Sequence, residues 1–404
     1  MRKRLLNGGF YIKIKVMKGN IGGDFPQSFT LSVSCASGTE HVVKKELHRL
    51  NGIDAPALNG RIEFQGDPLL MARCNLNLRA ADRVYIKTGE YRAETFDELY
   101  AAVKSVRWED YIPSDGYVYV DGRCVKSTLF ATSDCQRIVK KAIADRLCGK
   151  YGFSRLPETG SEYKVDFYLF KNTVSFYLDT SGTGLHKRGY RDKVGIAPIK
   201  ETLAAAMLLM SDFYKDRPFA DPFCGSGTFL IEGARIAMNV AAGIDRRFAF
   251  NAWKNFDGGY YRAAYEEAKD NERRDIKPDV RGFDADKKAV ELALHHAERA
   301  GLKGVVKATV SPVKDFKPWS DFGTVVTNPP YGERVYDRQD AENCYKDFGR
   351  VMKDYGGWSV FAITMHRGFE RYFGRKSDRV KKLYNAEKEC RYYFYYPEKE
   401  KNDG

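Results

Sequence analysis

A short apolar strand signal at residues 218–220 runs into Asp221-Pro222-Phe223-Cys224-Gly225-Ser226-Gly227-Thr228, and an amphipathic helix pattern follows from Phe229 to Val240. A glycine turn between a strand and a helix commits this part of the chain to a βα unit. Only a loop nearly free of side chains lets the helix pack back on its strand while backbone amides stay close to a ligand. The spacing is neither G-x-x-x-x-G-K-[ST] nor G-x-G-x-x-G, and no lysine follows the glycines, so phosphate-loop and dinucleotide readings lose support. An acid at the head of the loop would repel a triphosphate yet suits a cationic ligand. Asp221, Phe223, Cys224, Gly225, Gly227 and Thr228 are therefore candidate ligand-binding residues; a tight turn without a ligand is the plainer alternative. Cys224 reads as a small buried hydrophobe in preference to a nucleophile.

The βα pattern repeats downstream. Residues 280–284 read as a strand ending in Asp284, followed by a helix over 287–300 that stops at Gly301. A third strand over 305–310 leads to Asp315 in a loop. In a doubly wound sheet the acid ending the second strand can accept from both ribose hydroxyls. Asp315 falls where it could accept from an adenine amino group. Taken singly, each acid is more often a helix cap or a solvated loop residue.

Residues 323–327 read as a buried parallel strand that closes in Asn328-Pro329-Pro330-Tyr331. Two prolines remove two N–H groups and hold the preceding residues extended, so the turn is stiff and rich in carbonyl acceptors. The Asn328 side-chain oxygen and the Pro329 carbonyl can accept both hydrogens of an exocyclic amine, turning its lone pair out of conjugation. Tyr331 offers a face for a base to stack on. Alone, the tetrapeptide is also compatible with an ordinary turn after a strand. The order of glycine loop, ribose acid, adenine acid and Asn-Pro-Pro-Tyr implies methyl transfer from S-adenosylmethionine to an amine.

The N-terminal third has a different rhythm. Strands are predicted over 29–34, 62–64, 84–88, 117–121, 164–170 and 173–179, and helices over 39–50, 68–73, 95–105 and 133–150. This α+β order reads as a separate module ahead of the βα units. Lys140, Lys141 and Arg146 lie on one side of the longest helix, where they would dock RNA or form a solvated face. Lys187, Arg188, Arg191 and Lys193, set among four glycines, suggest a phosphate-contacting hinge or a polar linker. Pro198 to Met210 reads as a helix beside the cofactor cleft. An insertion over 241–279 mixes Arg246 and Arg247 with Trp253, Tyr260 and Tyr261, a composition for stacking bases or for packing. Residues 358–364 are a fifth strand, and 380–385 with 390–396 a reversed terminal hairpin.

The formal net charge of +13 favours a polyanionic partner. No apolar run approaches the length of a spanning helix, so no membrane association is expected. Eight cysteines without a C-x-x-C pair or a nearby His cluster argue against zinc or another metal and for reduced thiols in the cytoplasm. Residues 1–28 read as a flexible leader.

Leu185-His186-Lys187-Arg188-Gly189-Tyr190-Arg191, the stretch Gly195 to Ala206, Asp221 to Glu232 and Thr327 to Arg334 together resemble the THUMP-containing RNA guanine-N2 methyltransferases. Within that family they are most like the N-terminal half of the bacterial large-subunit (23S) rRNA enzymes, and the likeness spans about Phe29 to Pro397. The bifunctional members carry a second methyltransferase domain, which this sequence ends too early to include. The resemblance implies an α/β fold: a Rossmann-like seven-stranded class I methyltransferase domain over 199–398, preceded by an α+β ferredoxin-like/THUMP RNA-binding region. The ferredoxin-like part is expected over 29–68, the THUMP domain over 69–180, a basic linker over 181–198 and a disordered tail over 399–404.

It further implies S-adenosylmethionine as cofactor, RNA (large-subunit rRNA) as partner, a monomer, and catalysis by Asn328, Pro329, Pro330 and Tyr331. Asn328 would also touch the cofactor. RNA would be gripped by Lys140, Lys141, Lys187, Arg188 and Arg191. Three other functions share these features: a tRNA guanine-N2 methyltransferase, a DNA adenine-N6 methyltransferase, and a non-catalytic RNA-binding assembly factor that retains the fold.

Overall fold

Lys171 and Asn172 both have positive φ, 49° and 63°, the conformation that a two-residue hairpin turn demands of its central residues. The hairpin they close ends the first half of the chain. The structure, a computed structural model, describes residues 25–58, 60–193, 199–332, 338–386 and 388–397. The expected tail, all but the last four residues of the expected leader, and Val194 to Pro198 of the linker lie outside the described residues.

The first half runs β1 (Phe29–Cys35), α1 (Glu40–Asn51), β2 (Ala57–Leu58), β3 (Arg61–Gly66), α2 (Pro68–Asn77), β4 (Ala81–Arg92), α3 (Phe96–Ser105), β5 (Tyr117–Val125), α4 (Thr132–Tyr151), β6 (Glu162–Phe170) and β7 (Thr173–Asp179). α2 begins where Asp67 caps it and Pro68 occupies its first turn, and α3 begins on a Thr95/Glu98 capping box. The strands form one sheet in the order β2-β3-β1-β4-β7-β6-β5. β4 is long enough to pair with β1 and with β7. The ferredoxin-like and THUMP parts therefore share one sheet, whose inward residues (Leu31, Val84, Ile86, Phe167, Phe176) are buried.

The second half runs α5 (Glu201–Met210), β8 (Phe219–Asp221), α6 (Thr228–Ala237), α7 (Gly258–Asp270), β9 (Val280–Asp284), α8 (Lys287–Arg299), β10 (Val306–Val310), β11 (Gly323–Thr327), α9 (Arg338–Lys353), β12 (Trp358–Thr364), α10 (Phe369–Phe373), β13 (Arg379–Asn385) and β14 (Lys388–Tyr395). The sheet order is β10-β9-β8-β11-β12-β14-β13, parallel except for β14, which runs antiparallel between β12 and β13. Every residue of β11 and β12 is buried, as expected of central strands covered on both faces. Tyr392, Tyr393, Phe394 and Tyr395 of β14 are buried too, so this part of the expected terminal hairpin is core strand.

The insertion between α6 and β9 is a clasp between the halves, which corrects the base-stacking reading of its aromatics. Trp253 is buried, stacks on Tyr163 of β6 at 5.1 Å and donates to the Glu162 carbonyl at 3.2 Å. Asn255 donates to the Tyr111 carbonyl at 2.8 Å, and Tyr261 packs edge-on against Phe248 and Phe250. Arg246 donates to the carbonyls of Gly184 at 2.8 Å and Lys187 at 3.1 Å, spending its guanidinium on the linker backbone. Among the described residues no helix is long and apolar enough to cross a membrane, and no group of three or more His, Cys, Asp or Glu could hold a metal.

Candidate active site

β8 and β11 are neighbours, but β8 is followed in the sheet by β9 on one side while β11 leads to β12 on the other. Such a reversal opens a crevice outside the carboxyl ends of the two strands, the usual ligand position in an open α/β sheet. Two of the predicted motifs sit at its lips: the glycine loop follows β8 and Asn-Pro-Pro-Tyr follows β11.

Asp221, the last residue of β8, is 1% exposed. Its Oδ1 accepts from Thr327 Oγ1 at 2.6 Å and from the Phe223 amide at 3.1 Å. Both bonds fall on one oxygen, which leaves Oδ2 without a hydrogen bond among the described residues. Burial pushes this carboxyl up to about 7, the Thr327 and Phe223 bonds pull it down, and the neighbouring Asp284 raises it further. A buried acid with a spare oxygen fits a cationic ligand. Thr327 had no marker in the sequence; only the β8–β11 pairing identifies it as Asp221's partner.

The loop itself supports an approaching ligand. A Cβ at Gly225 would meet nothing within 4 Å, so the backbone there borders open space. Gly227 is different: with φ of +83°, a Cβ there would sit 3.0 Å from that of Ala293, so glycine lets α6 start against α8. Thr228, the first residue of α6, is buried, and Phe223 packs edge-on against Phe348 of α9 at 5.6 Å. Cys224 is buried, and burial pushes its thiol well above the ordinary range, so it remains an inert neutral group.

Asp284 ends β9 beside the loop. Its Oδ2 accepts from the Gly225 amide at 2.9 Å and its Oδ1 from the Asp286 amide at 3.0 Å. Each oxygen keeps a lone pair, and the carboxylate is half-buried. Val310 pairs with Asp284 across β10 and β9, so the short turn Val313–Asp315 also lies at the carboxyl end of the sheet. Asp315 is exposed there, and its side chain makes no hydrogen bond among the described residues. These acids and the open loop fit the amino group, ribose and base of S-adenosylmethionine.

In the Asn-Pro-Pro-Tyr turn Pro329 is buried and Asn328, Pro330 and Tyr331 are half-buried. Tyr331 Oη donates to Asn328 Oδ1 at 2.6 Å and lies 4.0 Å from Cys390 Sγ of β14. The tyrosine hydroxyl is thus part of the turn and orients the Asn328 amide, a role the sequence reading did not assign it. Tyr345 of α9, fully buried, donates to the Pro330 carbonyl and sits 3.3 Å from Thr364 Oγ1. It buttresses the turn from behind, and nothing in the sequence singles it out.

Two of the expected RNA-gripping cations are corrected. Arg188 is 2% exposed; it donates to the Arg79 carbonyl at 2.6 Å and the Leu185 carbonyl at 2.8 Å and pairs with buried Glu232 at 3.4 Å. It cannot reach a phosphate, because the first half, the linker and α6 close around it. Arg191 pairs with Glu201 at 2.9 Å and donates to Thr228 Oγ1 at 2.6 Å, so it secures the start of α6. Lys187 is exposed. On α4, Lys140 pairs with Glu158 at 3.1 Å, whereas Lys141 is exposed with its ammonium 5.9 Å from the Tyr100 ring.

Residues 188–393 match the family described as RMKL-like, methyltransferase domain; residues 30–85 match the RlmL ferredoxin-like domain and residues 93–179 the THUMP domain. The last two ranges divide within β4, not at the expected 68/69 boundary. The chain is 41% identical over 372 residues to YpsC of Bacillus subtilis (strain 168), provisionally named an RNA methyltransferase, covering 92% of this chain and 96% of that protein. It is similar to a crystal structure from Listeria monocytogenes str. 4b F2365 named as a predicted N6-adenine-specific DNA methylase: TM-score 0.87, 43% identity, 92% of this chain and 96% of that one. It is similar also to SMU.472, provisionally named a methyltransferase and crystallised with SAH, with TM-score 0.88 and 40% identity over 93% of this chain and 99% of that one.

Proposed function

The chain belongs to the family of RMKL-like methyltransferases that carry ferredoxin-like and THUMP domains, and on that premise we propose that it methylates the exocyclic N2 amine of a guanine in large-subunit (23S) rRNA. Its cofactor is S-adenosylmethionine, which when bound supplies an electrophilic methyl group on a sulfonium. RNA is the substrate class supported by the THUMP domain and by the relative named as an RNA methyltransferase. The RlmL match and the likeness to the large-subunit enzymes support the narrower choice. The observation that carries the reading is the Thr327–Asp221 bond, which joins the strand leading into Asn328 to the strand leading into the glycine loop.

Asp221, Asp284, Asp315 and the glycine loop bind and orient the cofactor. The target guanine must leave its stack to reach the crevice, since a paired base hides its amine. Asn328 Oδ1 and the Pro329 carbonyl accept the two amine hydrogens and aim the nitrogen lone pair into the crevice. Tyr331 holds the Asn328 amide in that orientation while Tyr345 fixes the turn through Pro330. As the new N–C bond forms and the sulfonium C–S bond breaks, nitrogen gains positive charge. Its proton then becomes acidic and leaves to water, so no strong base is required. Positioning supplies the main part of the rate.

The testing experiment offers labelled S-adenosylmethionine with three acceptors: deproteinised large-subunit rRNA from a strain lacking the gene, bulk tRNA, and duplex DNA. Nucleoside mass spectrometry then identifies the product. N2-methylguanosine in rRNA alone is the expected result. Label in tRNA would retain the chemistry and move the substrate; N6-methyladenine in DNA would overturn the reading.

A further inference from the structure

The far end of the first sheet, where β5 and β6 finish, combines strained backbone, cations without ion pairs among the described residues, one exposed phenylalanine and two half-buried aromatic rings. Lys126 has φ of 49°, as does Lys171. Left-handed backbone costs a residue with a Cβ roughly 1 kcal/mol, which is why glycine or asparagine normally occupies such turn positions. Here two lysines occupy them side by side, the Lys171 amide donating to the Val125 carbonyl at 3.3 Å. Asn172 latches the two turns together: its Oδ1 accepts from the Thr128 amide at 2.8 Å and its amide donates to Ser127 Oγ at 3.1 Å. Strained positions that retain a long cationic side chain point to a use for that charge.

Among the described residues the cations at this end have no carboxylate partner, and the Lys171 ammonium lies 5.3 Å from the centre of the Phe170 ring. Arg123, Lys126 and Lys171 are exposed and form no ion pair among the described residues. The nearby acids are already engaged: Glu94 by Arg92, Asp134 by Arg137 and Asp121 by Lys164. Beside them Phe130 is 82% exposed, in the turn that links β5 to α4. On β6 the rings of Tyr168 and Phe170 are stacked, 5.9 Å apart and 9° from parallel, and Arg123 of β5 pairs with Tyr168 in the ladder.

We propose that this tip, formed by Arg123, Lys126, Phe130, Tyr168, Phe170 and Lys171, grips a single-stranded segment of the RNA substrate. The inference rests on the RNA-methyltransferase reading above and names the surface it uses. Cations along a ridge would track the phosphates while exposed Phe130, and the outward parts of half-buried Tyr168 and Phe170, stack on unpaired bases, a combination that favours single strands over duplex. It moves docking away from the expected positions, of which Arg188, Arg191 and Lys140 are already engaged.

The test uses the full chain and a fluorescently labelled twelve-nucleotide RNA of mixed sequence, as a single strand and as a duplex. The double variant Lys126→Gly/Lys171→Gly removes both charges and relieves both strained positions, so its melting temperature should be unchanged or higher. It should bind the single strand at least about tenfold more weakly, with the slope of log affinity against log salt smaller by about 1.4, from two phosphate contacts at roughly 0.7 each. Phe130→Ala should weaken the single strand by about fivefold or more and the duplex less. Both variants should keep wild-type affinity for S-adenosylmethionine. If wild type methylates RNA while both variants bind the single strand within about twofold of it, this surface is wrong and the functional reading stands. Stronger binding of duplex by the wild type would also overturn the single-strand assignment. A wild type that binds neither probe and methylates no RNA would overturn both.

Discussion

Thr327 donates a 2.6 Å hydrogen bond to the buried carboxylate of Asp221, across 106 residues of sequence. Through it the strand that leads into Asn328 is tied to the strand that leads into the glycine loop. The spacing between the proposed amine acceptors and the proposed cofactor loop is thus held by a buried contact.

Asn328→Ala removes an amine acceptor and leaves the glycine loop untouched. Single-turnover methyl transfer should fall by roughly 10²–10³-fold, the loss typical of deleting one preorganised polar group at a reacting centre. Calorimetry should show cofactor affinity within a few-fold of wild type. An unchanged rate would remove Asn328 from the chemistry.

Asp221 should make cofactor binding depend on pH. Its carboxyl is held at about 7, and a cation in the crevice favours the ionised form, so affinity for S-adenosylmethionine should fall about tenfold per pH unit below 7 and level off above it. Folding has the opposite slope. Because the folded value lies above the ordinary carboxyl value of 3.8, the stability tied to the protonated form is complete below that value and is lost as pH rises through 7. Asp221→Asn should flatten both profiles. Calorimetric titrations showing the same cofactor affinity across pH 5.5–8 (approximate limits of the titrating range) would contradict this account.

Tyr345→Phe deletes the hydroxyl that donates to the Pro330 carbonyl. Leaving that acceptor unsatisfied should cost about 1–3 kcal/mol in stability, measured by denaturant unfolding. Turnover should fall more than cofactor affinity, because the loosened turn carries Asn328. Equal losses in both would mark Tyr345 as a general core residue.

Arg188→Met strands the Glu232 carboxylate in the interior. A broken buried ion pair of this kind costs about 3–5 kcal/mol, so unfolding should shift strongly. The salt dependence of RNA binding by the folded fraction should stay at the wild-type slope. A shallower slope would return Arg188 to the RNA-contacting set.

Much of the scaffold was legible in the chain because its signals are local. The strands at 323–327 and 358–364 coincide with β11 and β12, since a strand buried on both faces reads as an unbroken apolar run. The helix expected to start at Thr95 does so on a capping box, and the strands expected over 164–170 and 173–179 meet at the Lys171-Asn172 turn. The insertion over 241–279 was less legible: arginines and aromatics have the same composition whether they stack on bases or clasp two halves of a protein. Trp253 became a packing residue only through Tyr163, 90 positions away.

By itself the sequence determined the stiff acceptor-rich turn at Asn328, the glycine loop, the alternation of strand and helix around them, and the overall positive charge. All of these follow from covalent geometry and from patterns within one or two turns of chain. Tertiary structure alone decided which charges are free. Arg188 and Arg191 look like any linker cations until Glu232 and Glu201 are brought against them. It also decided that Tyr331 orients Asn328 and that Tyr345 supports the turn. The physical reason is that a side chain's availability depends on its partner and its burial, and in a folded chain both are supplied by residues distant in sequence.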